Sequence, residues 1–405
     1  MGVRATQPRG LISRLVGLII KLVLLLVIVG AVAWIASRPS TPDAFYSQPL
    51  PQDARGGTLL KSEPFTKAVP SEARGWRILY VTLRGGKRVV ASAVIVVSAQ
   101  ASEKPRPIIA WAHGTTGVVS GCAPSVMEKP FDNLPNIGAL VGEGWAYVGT
   151  DYPGLGTEGG HTYMVGEDAA HAVLDAVRAA RQLREATLDD RMVVRGHSQG
   201  GNSALWTGML ANEYAPELKL LGVAALAPAS DLKGLVSASK SGMFGKIVSA
   251  YIVRGYAQAY SDVKAEDYVG SVSRFIASDI ASRCVGGYAT LFSVLETKLL
   301  PAGGIFSQEP MAGPLGKRLG ENTPIRIIPA PMLIAQGEAD DLVLPDVQKR
   351  FVTARCSAGQ KIDFRTYAGR DHVSVVASDS PLASELISWT RDRFEGKAAE
   401  GNCKL

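Results

Sequence analysis

Near its middle the chain reads Gly196-His197-Ser198-Gln199-Gly200, a Gly-x-Ser-x-Gly sequence. A β-prone stretch, 192–194, precedes it, and a helix-prone stretch, 201–214, follows it. This context predicts a sharp turn from strand to helix that pushes the serine hydroxyl out of the edge of a sheet. Glycine is expected at both ends because a β-carbon there would clash with the neighbouring strand and helix. Ser198 is therefore the candidate nucleophile.

A serine hydroxyl is a weak nucleophile at neutral pH and needs a neighbouring base. The five histidines of the chain are His113, His161, His171, His197 and His372. In strand–turn–helix sites of this kind the partners follow along the chain in the order serine, acid, histidine. His372 is the only histidine beyond Ser198, and we expect it to be the base. His197 adjoins the serine in sequence, and its side chain is expected to point away from the hydroxyl.

The acid is expected after the last strand but one, within residues 336–343. Three carboxylates there are candidates: Glu338, Asp340 and Asp341. We prefer Asp340, whose carboxylate would hold the imidazole in its productive tautomer and stabilise the imidazolium as it forms. One aspartate of the pair is expected only to cap the helix that begins near Pro345.

Acyl transfer also needs two backbone N–H donors aimed at the developing negative charge. One is expected at Gln199, the residue after the nucleophile. The other is expected just after the short apolar strand 108–112, in His113-Gly114-Thr115-Thr116-Gly117. Thr115 is our choice there, although an ordinary glycine turn would have the same local sequence.

Apolar strands alternate with helical patterns along most of the chain, which predicts an α/β fold with a mainly parallel sheet covered on both faces. Two β-rich runs joined by 84–87 predict an antiparallel hairpin at its start. Residues 231–322 lie between two core strands and are far too long for a connecting loop. We interpret them as a mostly helical cap, the alternative being a second face of the core. The expected core segments are 56–230 and 323–405.

The N-terminus carries the positive excess of the chain. The net charge is +6, from 43 basic and 37 acidic residues, and five basic residues without any acid lie in the first 38 positions. Without them the balance is 38 to 37, or +1, which argues against nucleic-acid binding. An apolar run, 15–35, follows three arginines and is long enough to cross a bilayer. Segment 1–36 is therefore a signal anchor with the body outside the cytoplasm, or a cleaved signal peptide of a secreted or periplasmic protein.

Four cysteines occur, and none of them is in a Cys-x-x-Cys pair. They are Cys122, Cys284, Cys356 and Cys403. Metal-ligand spacing is absent, and an exported protein could pair them as two disulfides. Spacing alone leaves all three pairings open. The Pro- and Ser-rich segment 37–55 is expected to be a linker.

Four features together resemble the secretory lipase family of the α/β-hydrolase superfamily. They are 121–125 (Gly-Cys-Ala-Pro-Ser), 150–156 (Thr-Asp-Tyr-Pro-Gly-Leu-Gly), 196–201 (Gly-His-Ser-Gln-Gly-Gly) and the long insertion before the acid. The resemblance implies the α/β-hydrolase fold, a helical cap over the acyl site, acyl or lipid esters as substrates, and no metal or organic cofactor. It also implies the disulfides Cys122–Cys284 and Cys356–Cys403.

These observations lead us to expect a serine carboxylic-ester hydrolase with Ser198, Asp340 and His372 as its catalytic triad. A serine peptidase or amidase with the same triad is an alternative, and so is a non-catalytic relative of the fold. The expected partners are a small or lipid ester and the membrane at the apolar segment. Acyl-chain length, oligomeric state and cleavage of the N-terminus stay open.

Overall fold

The computed structural model describes residues 9–132 and 134–403. Residues 1–8 of the predicted segment 1–36, Arg4 among them, lie outside the described residues, as do residues 404–405 of the predicted segment 323–405. Residue 133 also lies outside them. The structural statements below concern the described part of the chain.

Nine strands of the described residues form one sheet. They are β1 (Leu59–Pro64), β2 (Ala73–Arg84), β3 (Lys87–Ser98), β4 (Arg106–Ala112), β5 (Ala146–Thr150), β6 (Leu188–His197), β7 (Lys219–Leu226), β8 (Met332–Gly337) and β9 (Asp363–Tyr367). Their order across the sheet is β1-β2-β3-β5-β4-β6-β7-β8-β9. The first three pairs in this order, β1–β2, β2–β3 and β3–β5, are antiparallel. The remaining five, β5–β4, β4–β6, β6–β7, β7–β8 and β8–β9, are parallel. The predicted mainly parallel sheet with an antiparallel hairpin at its start is confirmed.

Twelve helices accompany the strands in the described ranges. They are α1 (Arg9–Ala36), α2 (Ile137–Gly142), α3 (Gly166–Ala180), α4 (Gln199–Tyr214), α5 (Leu232–Ser239), α6 (Met243–Ala259), α7 (Ala265–Tyr268), α8 (Ser271–Ile280), α9 (Gly287–Thr297), α10 (Gly313–Glu321), α11 (Pro345–Ser357) and α12 (Pro381–Phe394). Six of them, α5 to α10, lie between β7 and β8.

Alternation of side chains along the central strands builds two apolar layers. On β4, Ile108 and Ala110 face the layer that contains α3, α4 and α11, whereas Ile109 and Trp111 face the layer that contains α2 and α12. All four side chains are almost fully buried. A strand buried on both faces needs an unbroken apolar sequence, because successive side chains point to opposite faces.

The insertion, defined as residues 231–322, has an apolar core of its own. Tyr251, Ile252 and Tyr256 of α6 are buried in it. The same cluster includes Val118 and Val343, which lie in loops that follow β4 and β8. Because those loops start at the carboxyl ends of parallel strands, the insertion covers the edge at which ligands bind in open α/β sheets.

Helix α1 is mostly apolar, and none of its residues 13–36 is buried. Its stretch Ser13–Ala36 has a mean hydropathy of 3.0 and is long enough to cross a membrane. The segment that follows, predicted as a linker, has little regular secondary structure but lies against the body. Phe45 and Tyr46 are buried, and the Tyr46 hydroxyl lies 2.7 Å from Ser125 Oγ.

Two disulfides are present, and they match the pairing that the resemblance implies. Cys122–Cys284 joins the turn after β4 to the loop between α8 and α9, so it ties the sheet core to the insertion. Cys356–Cys403 joins α11 to the C-terminal tail. The described cysteines are therefore all oxidised.

Candidate active site

The turn at Ser198 has the geometry that its sequence predicts. Ser198 has φ 58° and ψ −117° and lies between β6 and the first residue of α4. Both flanking glycines are sterically required. A β-carbon on Gly196 would lie 2.0 Å from the carbonyl oxygen of Gly200, and one on Gly200 would lie 1.9 Å from that of Ala112. The backbone strain at the serine is thus held by close packing of strand against helix.

Three side chains from distant parts of the chain form a hydrogen-bonded line. His372 Nε2 lies 2.8 Å from Ser198 Oγ, and His372 Nδ1 lies 2.8 Å from Asp340 Oδ2. Ser198 and His372 are each 8% exposed, and Asp340 is 3% exposed. This is the arrangement in which an imidazole can take a proton from the hydroxyl while a carboxylate orients the ring.

Asp340 is held from three directions. Its Oδ1 accepts hydrogen bonds from the backbone N–H groups of Leu342 and Val343, at 2.9 and 2.8 Å. Its Oδ2 accepts a third from Gln336 Nε2 at 2.9 Å. The carboxylate therefore has one orientation, which presents Oδ2 to the imidazole.

The other two candidate acids lie elsewhere. Asp341 and Glu338 are both exposed, and Glu338 accepts a hydrogen bond from the Thr366 hydroxyl at 2.8 Å. The expectation that one aspartate of the pair caps the following helix is wrong. Helix α11 has Leu344 at its N-cap position and no side-chain cap. The Asp340 carboxylate instead accepts hydrogen bonds from the N–H groups of Leu342 and Val343, in the loop before that helix. Its other oxygen faces His372.

Two N–H groups near the serine are available as donors. Within the described part of the chain, the backbone N–H groups of Gln199 and Thr115 donate to no acceptor. Gln199 begins α4, and the first N–H groups of a helix have no partner within the helix. The Thr115 hydroxyl lies 2.7 Å from the Tyr163 hydroxyl, which fixes the loop after β4. A β-carbon on Gly114 would lie 3.7 Å from Ser198 Cβ, so this loop passes next to the nucleophile.

His197 supports the base from behind. Its Nε2 lies 2.8 Å from the backbone oxygen of His372 and donates to it, and its ring lies 4.9 Å from the His372 ring. Burial lowers the pKa of His197 to about 3, with a smaller contribution from the nearby His372. The neutral ring fills space beneath the base and fixes the backbone that carries it.

His161 contacts the side chain of Gln199, the residue after Ser198. Its Nε2 lies 3.1 Å from Gln199 Nε2, and its Nδ1 lies 3.2 Å from the Pro153 carbonyl oxygen. Nδ1 therefore donates and Nε2 accepts. Burial, with a smaller contribution from the neighbouring His113, lowers the pKa of His161 to about 3. A cleft of about 460 Å³ reaches His161 from between the core loops and α6.

The contacts of Gln336, His197 and His161 had no signal in the sequence. Gln336 is an ordinary polar residue near the end of β8, and His197 bonds a residue 175 positions away. The histidines could be found as candidates by their scarcity, but their partners could not. Among the described residues, no cluster of three or more His, Cys, Asp or Glu side chains could hold a metal ion.

Comparison with known proteins adds an independent line of evidence. The family model described as secretory lipase matches residues 132–402. A secreted triacylglycerol lipase of Malassezia furfur is 25% identical over 395 residues, which cover 90% of this chain and 80% of that protein. A Mycobacterium tuberculosis protein described as a "probable inactive lipase" is 24% identical over 395 residues, with 89% of this chain and 84% of that protein covered. The crystal structure of Candida antarctica lipase A superposes with a TM-score of 0.72 at 19% identity, covering 90% of this chain and 88% of that one.

Proposed function

The chain belongs to the secretory lipase family of carboxylic-ester hydrolases, and we propose that it cleaves lipid esters through an acyl-enzyme formed on Ser198. The hydrogen-bonded line Ser198–His372–Asp340 carries this proposal. One relative is described as a probable inactive lipase, so whether a given member is active has to be asked. An active member requires an intact triad.

The reaction follows from the geometry. His372 Nε2 takes the proton of Ser198 Oγ as the oxygen attacks the ester carbonyl. The negative charge that develops on the carbonyl oxygen is stabilised by the N–H groups of Thr115 and Gln199. The imidazolium then protonates the leaving alcohol, and the ester bond breaks. Water, deprotonated by His372, attacks the acyl-enzyme and releases the acid, which restores the serine.

Asp340 and the two donors have separable energetic roles. Asp340 holds the imidazole in the tautomer with its proton on Nδ1 and stabilises the cation that forms. Removing one oxyanion donor typically reduces turnover by about 10²–10³-fold. Both roles act on a transition state that is buried beneath the insertion, where electrostatic interactions are stronger than in water.

We assign the insertion the role of a cap. Its apolar cluster joins the loops that carry the oxyanion donor and the acid. Ser198 and His372 are almost completely buried, and on this assignment an ester passes along the inserted helices to reach them. We favour a lipid ester over a peptide because the relatives include a secreted triacylglycerol lipase.

The protein is exported, in keeping with its N-terminal apolar helix and its two disulfides. We propose further that α1 stays as a membrane anchor, with the catalytic body on the exported side. Its span has 24 residues, Ser13–Ala36, and the apolar run 15–35 within it is interrupted only by Lys21, so it is longer than the 7–15 residues of an ordinary signal-peptide core. Arginines before the apolar run favour a cytoplasmic N-terminus.

The test is a Ser198→Ala variant of the full chain in mild detergent. Turnover of p-nitrophenyl esters should fall by about 10⁴-fold or more, with unchanged circular dichroism. A fluorophosphonate probe should label the native chain and fail to label the variant. Ester turnover that survives in the variant would refute Ser198 as the nucleophile, and a native chain that resists the probe would favour a non-catalytic relative. A panel of acyl chains from C2 to C18, with a peptide anilide beside it, then defines the substrate.

A further inference from the structure

Six large apolar side chains lie exposed on one part of the insertion. Between 51% and 79% of each is exposed, and all lie on α8, on α9 or just after α9. They are Val272, Phe275, Tyr288, Leu291, Leu295 and Leu299. We call them the cap apolar face. Clustered exposed apolar side chains mark an interaction site more often than scattered ones do.

Helical spacing places these side chains in two stripes. Val272 and Phe275 are three residues apart on α8, and Tyr288, Leu291, Leu295 and Leu299 follow at spacings of three or four. Residues at such spacings share one side of a helix. Helices α8 and α9 pack against each other, so the stripes can form one continuous face. Among the described residues, these exposed apolar side chains belong to no buried apolar cluster.

The end of α1 is attached to this same part of the insertion. Arg38 Nη2 lies 2.7 Å from Asp279 Oδ1 on α8, and Arg38 also bonds Ser282. Arg283 Nε donates to Ser37 Oγ at 3.1 Å. Ser37 directly follows the last residue of α1, and Asp279 lies one helical turn, about 6 Å, from Phe275. The point at which the chain leaves the apolar helix is therefore adjacent to the cap apolar face.

An aromatic residue fixes the level of that point. The Arg38 guanidinium lies 4.0 Å from the centre of the Trp34 ring near the end of α1. Tryptophan is enriched at the boundary between lipid and water, where its ring lies at headgroup level. Arg38 contacts both Trp34 and Asp279, so with α1 in a bilayer the C-terminal end of α8 would lie close to headgroup level.

The charges around the face suit a lipid surface. Helices α8 and α9 contain two acids, Asp279 and Glu296, and both are paired with Arg283. The other charged residues on these helices and directly after α9 are Arg274 and Lys298, which are basic. Anionic lipid headgroups attract lysine and arginine close to a membrane surface. A face of apolar stripes with only basic unneutralised charge resembles the composition of helices that lie in a membrane interface.

From these observations we propose that the cap apolar face rests on the leaflet that α1 enters, so that the insertion is held against the bilayer from which lipid esters are drawn. The occupant is a phospholipid surface, and the attachment of Ser37 and Arg38 sets the body's orientation on it. This inference rests on the proposed anchoring by α1 and on the proposed ester hydrolysis, and the experiment separates the three.

The experiment places an environment-sensitive fluorophore on the face of the full chain. The native cysteines are disulfide-bonded, so Phe275→Cys and Leu291→Cys each offer one free thiol for a nitrobenzoxadiazole label. The matched control is Lys104→Cys, which is exposed and lies before β4, at the opposite end of the sheet from the insertion. Each labelled chain is placed in nanodiscs of phosphatidylcholine and phosphatidylglycerol, with or without doxyl-labelled phosphatidylcholine.

The labels at 275 and 291 should emit at shorter wavelength than the label at 104, and doxyl lipid should quench them alone. Emission at 275 and 291 that matches the control, without quenching, would overturn the proposal. A blue shift that depends on the number of chains per nanodisc and resists doxyl lipid would also overturn it, because it assigns the face to a second copy. Hydrolysis of a soluble short-chain ester by each labelled chain reports the proposed function separately, and flotation of the chain with the lipid reports the anchor.

A second variant tests the consequence for turnover. Phe275→Ser combined with Leu291→Ser should reduce hydrolysis of a long-chain ester embedded in the nanodisc by about tenfold or more, because two large apolar side chains no longer leave water. Hydrolysis of the soluble ester should be unchanged. Ile325→Ser is the control, since it removes an exposed apolar side chain outside the face. An equal loss with both esters, or no loss with either, would contradict the proposal.

Discussion

The sheet core and the insertion differ in how much apolar surface they leave exposed. Central strands such as β4 bury their apolar side chains on both faces, whereas α8 and α9 bury one side and expose another. The hydrogen bonds that connect Ser198, His372 and Asp340 involve only core residues. From this comparison we infer that the chemistry belongs to the core and that access to substrate belongs to the insertion, as proposed above.

The largest expected effect separates the two adjacent aspartates of the core. Asp340→Asn should lower ester turnover by about 10⁴-fold, because an amide at this position favours the wrong imidazole tautomer. Asp341→Asn is the matched control, since that side chain is exposed and one residue away. It should leave turnover nearly unchanged. Steady-state kinetics with a soluble p-nitrophenyl ester measures both variants. A large loss in the Asp341 variant with a mild one in the Asp340 variant would reverse the assignment.

The two disulfides test whether the insertion is a separate mechanical unit. In the chain-entropy description, removing Cys122–Cys284, with a sequence separation of 162, costs about 5 kcal/mol of unfolding free energy. Removing Cys356–Cys403, with a separation of 47, costs about 4 kcal/mol. Double Cys→Ala variants, unfolded with urea in mild detergent, measure these losses.

The two variants should differ more in where the chain is first cleaved by protease than in how much unfolding free energy they lose. Without Cys122–Cys284, limited proteolysis should cut first within 231–322, because that disulfide ties the insertion to the core. Without Cys356–Cys403, the first cuts should fall in the C-terminal tail. Identical cleavage maps for the two variants would show that insertion and core unfold as one unit.

The smallest effect concerns a buried histidine beneath the insertion. Burial holds the pKa of His161 at about 3 in the folded chain, below the value near 6.5 of an unfolded one. The contribution of neutral His161 to the free energy of unfolding is complete above pH 6.5. It is lost as the pH falls below 6.5, because only the unfolded chain then takes up a proton at this histidine. Relative to His161→Gln, the native chain should therefore lose about 1.4 kcal/mol for each pH unit below 6.5. Urea unfolding at pH 7, 6 and 5 measures the difference. A difference that does not change with pH would show that His161 is solvated.

Several elements could be predicted from local sequence because they depend on local physics. The glycines at 196 and 200, the strand before them and the helix after them predict the turn at Ser198, and close contacts between the two glycines and with Ala112 of β4 enforce it. Chain order then selects His372 among five histidines. The apolar runs of β4 and β8 predict strands buried on both faces, since only such strands can do without polar alternation.

Other features depend on contacts that no local pattern contains. Which neighbouring aspartate meets His372 depends on how the loop after β8 folds around the N–H groups of Leu342 and Val343. The segment 37–55 has the composition of a linker, yet Arg38 reaches a partner 241 positions away on the insertion. A sequence pattern reports the preferences of neighbouring residues. The pairing of distant side chains is set by how loops and layers pack.

The sequence by itself determined the strand–turn–helix at the nucleophile, the mainly parallel sheet and the apolar N-terminal helix, because backbone preference and side-chain periodicity act within a few residues. Only the tertiary structure decided which aspartate bonds His372, how Gln336 holds that aspartate and His197 holds the His372 backbone, and where the end of α1 meets the insertion. Those contacts join residues far apart in the chain, and their energy appears only when packing removes both partners from water.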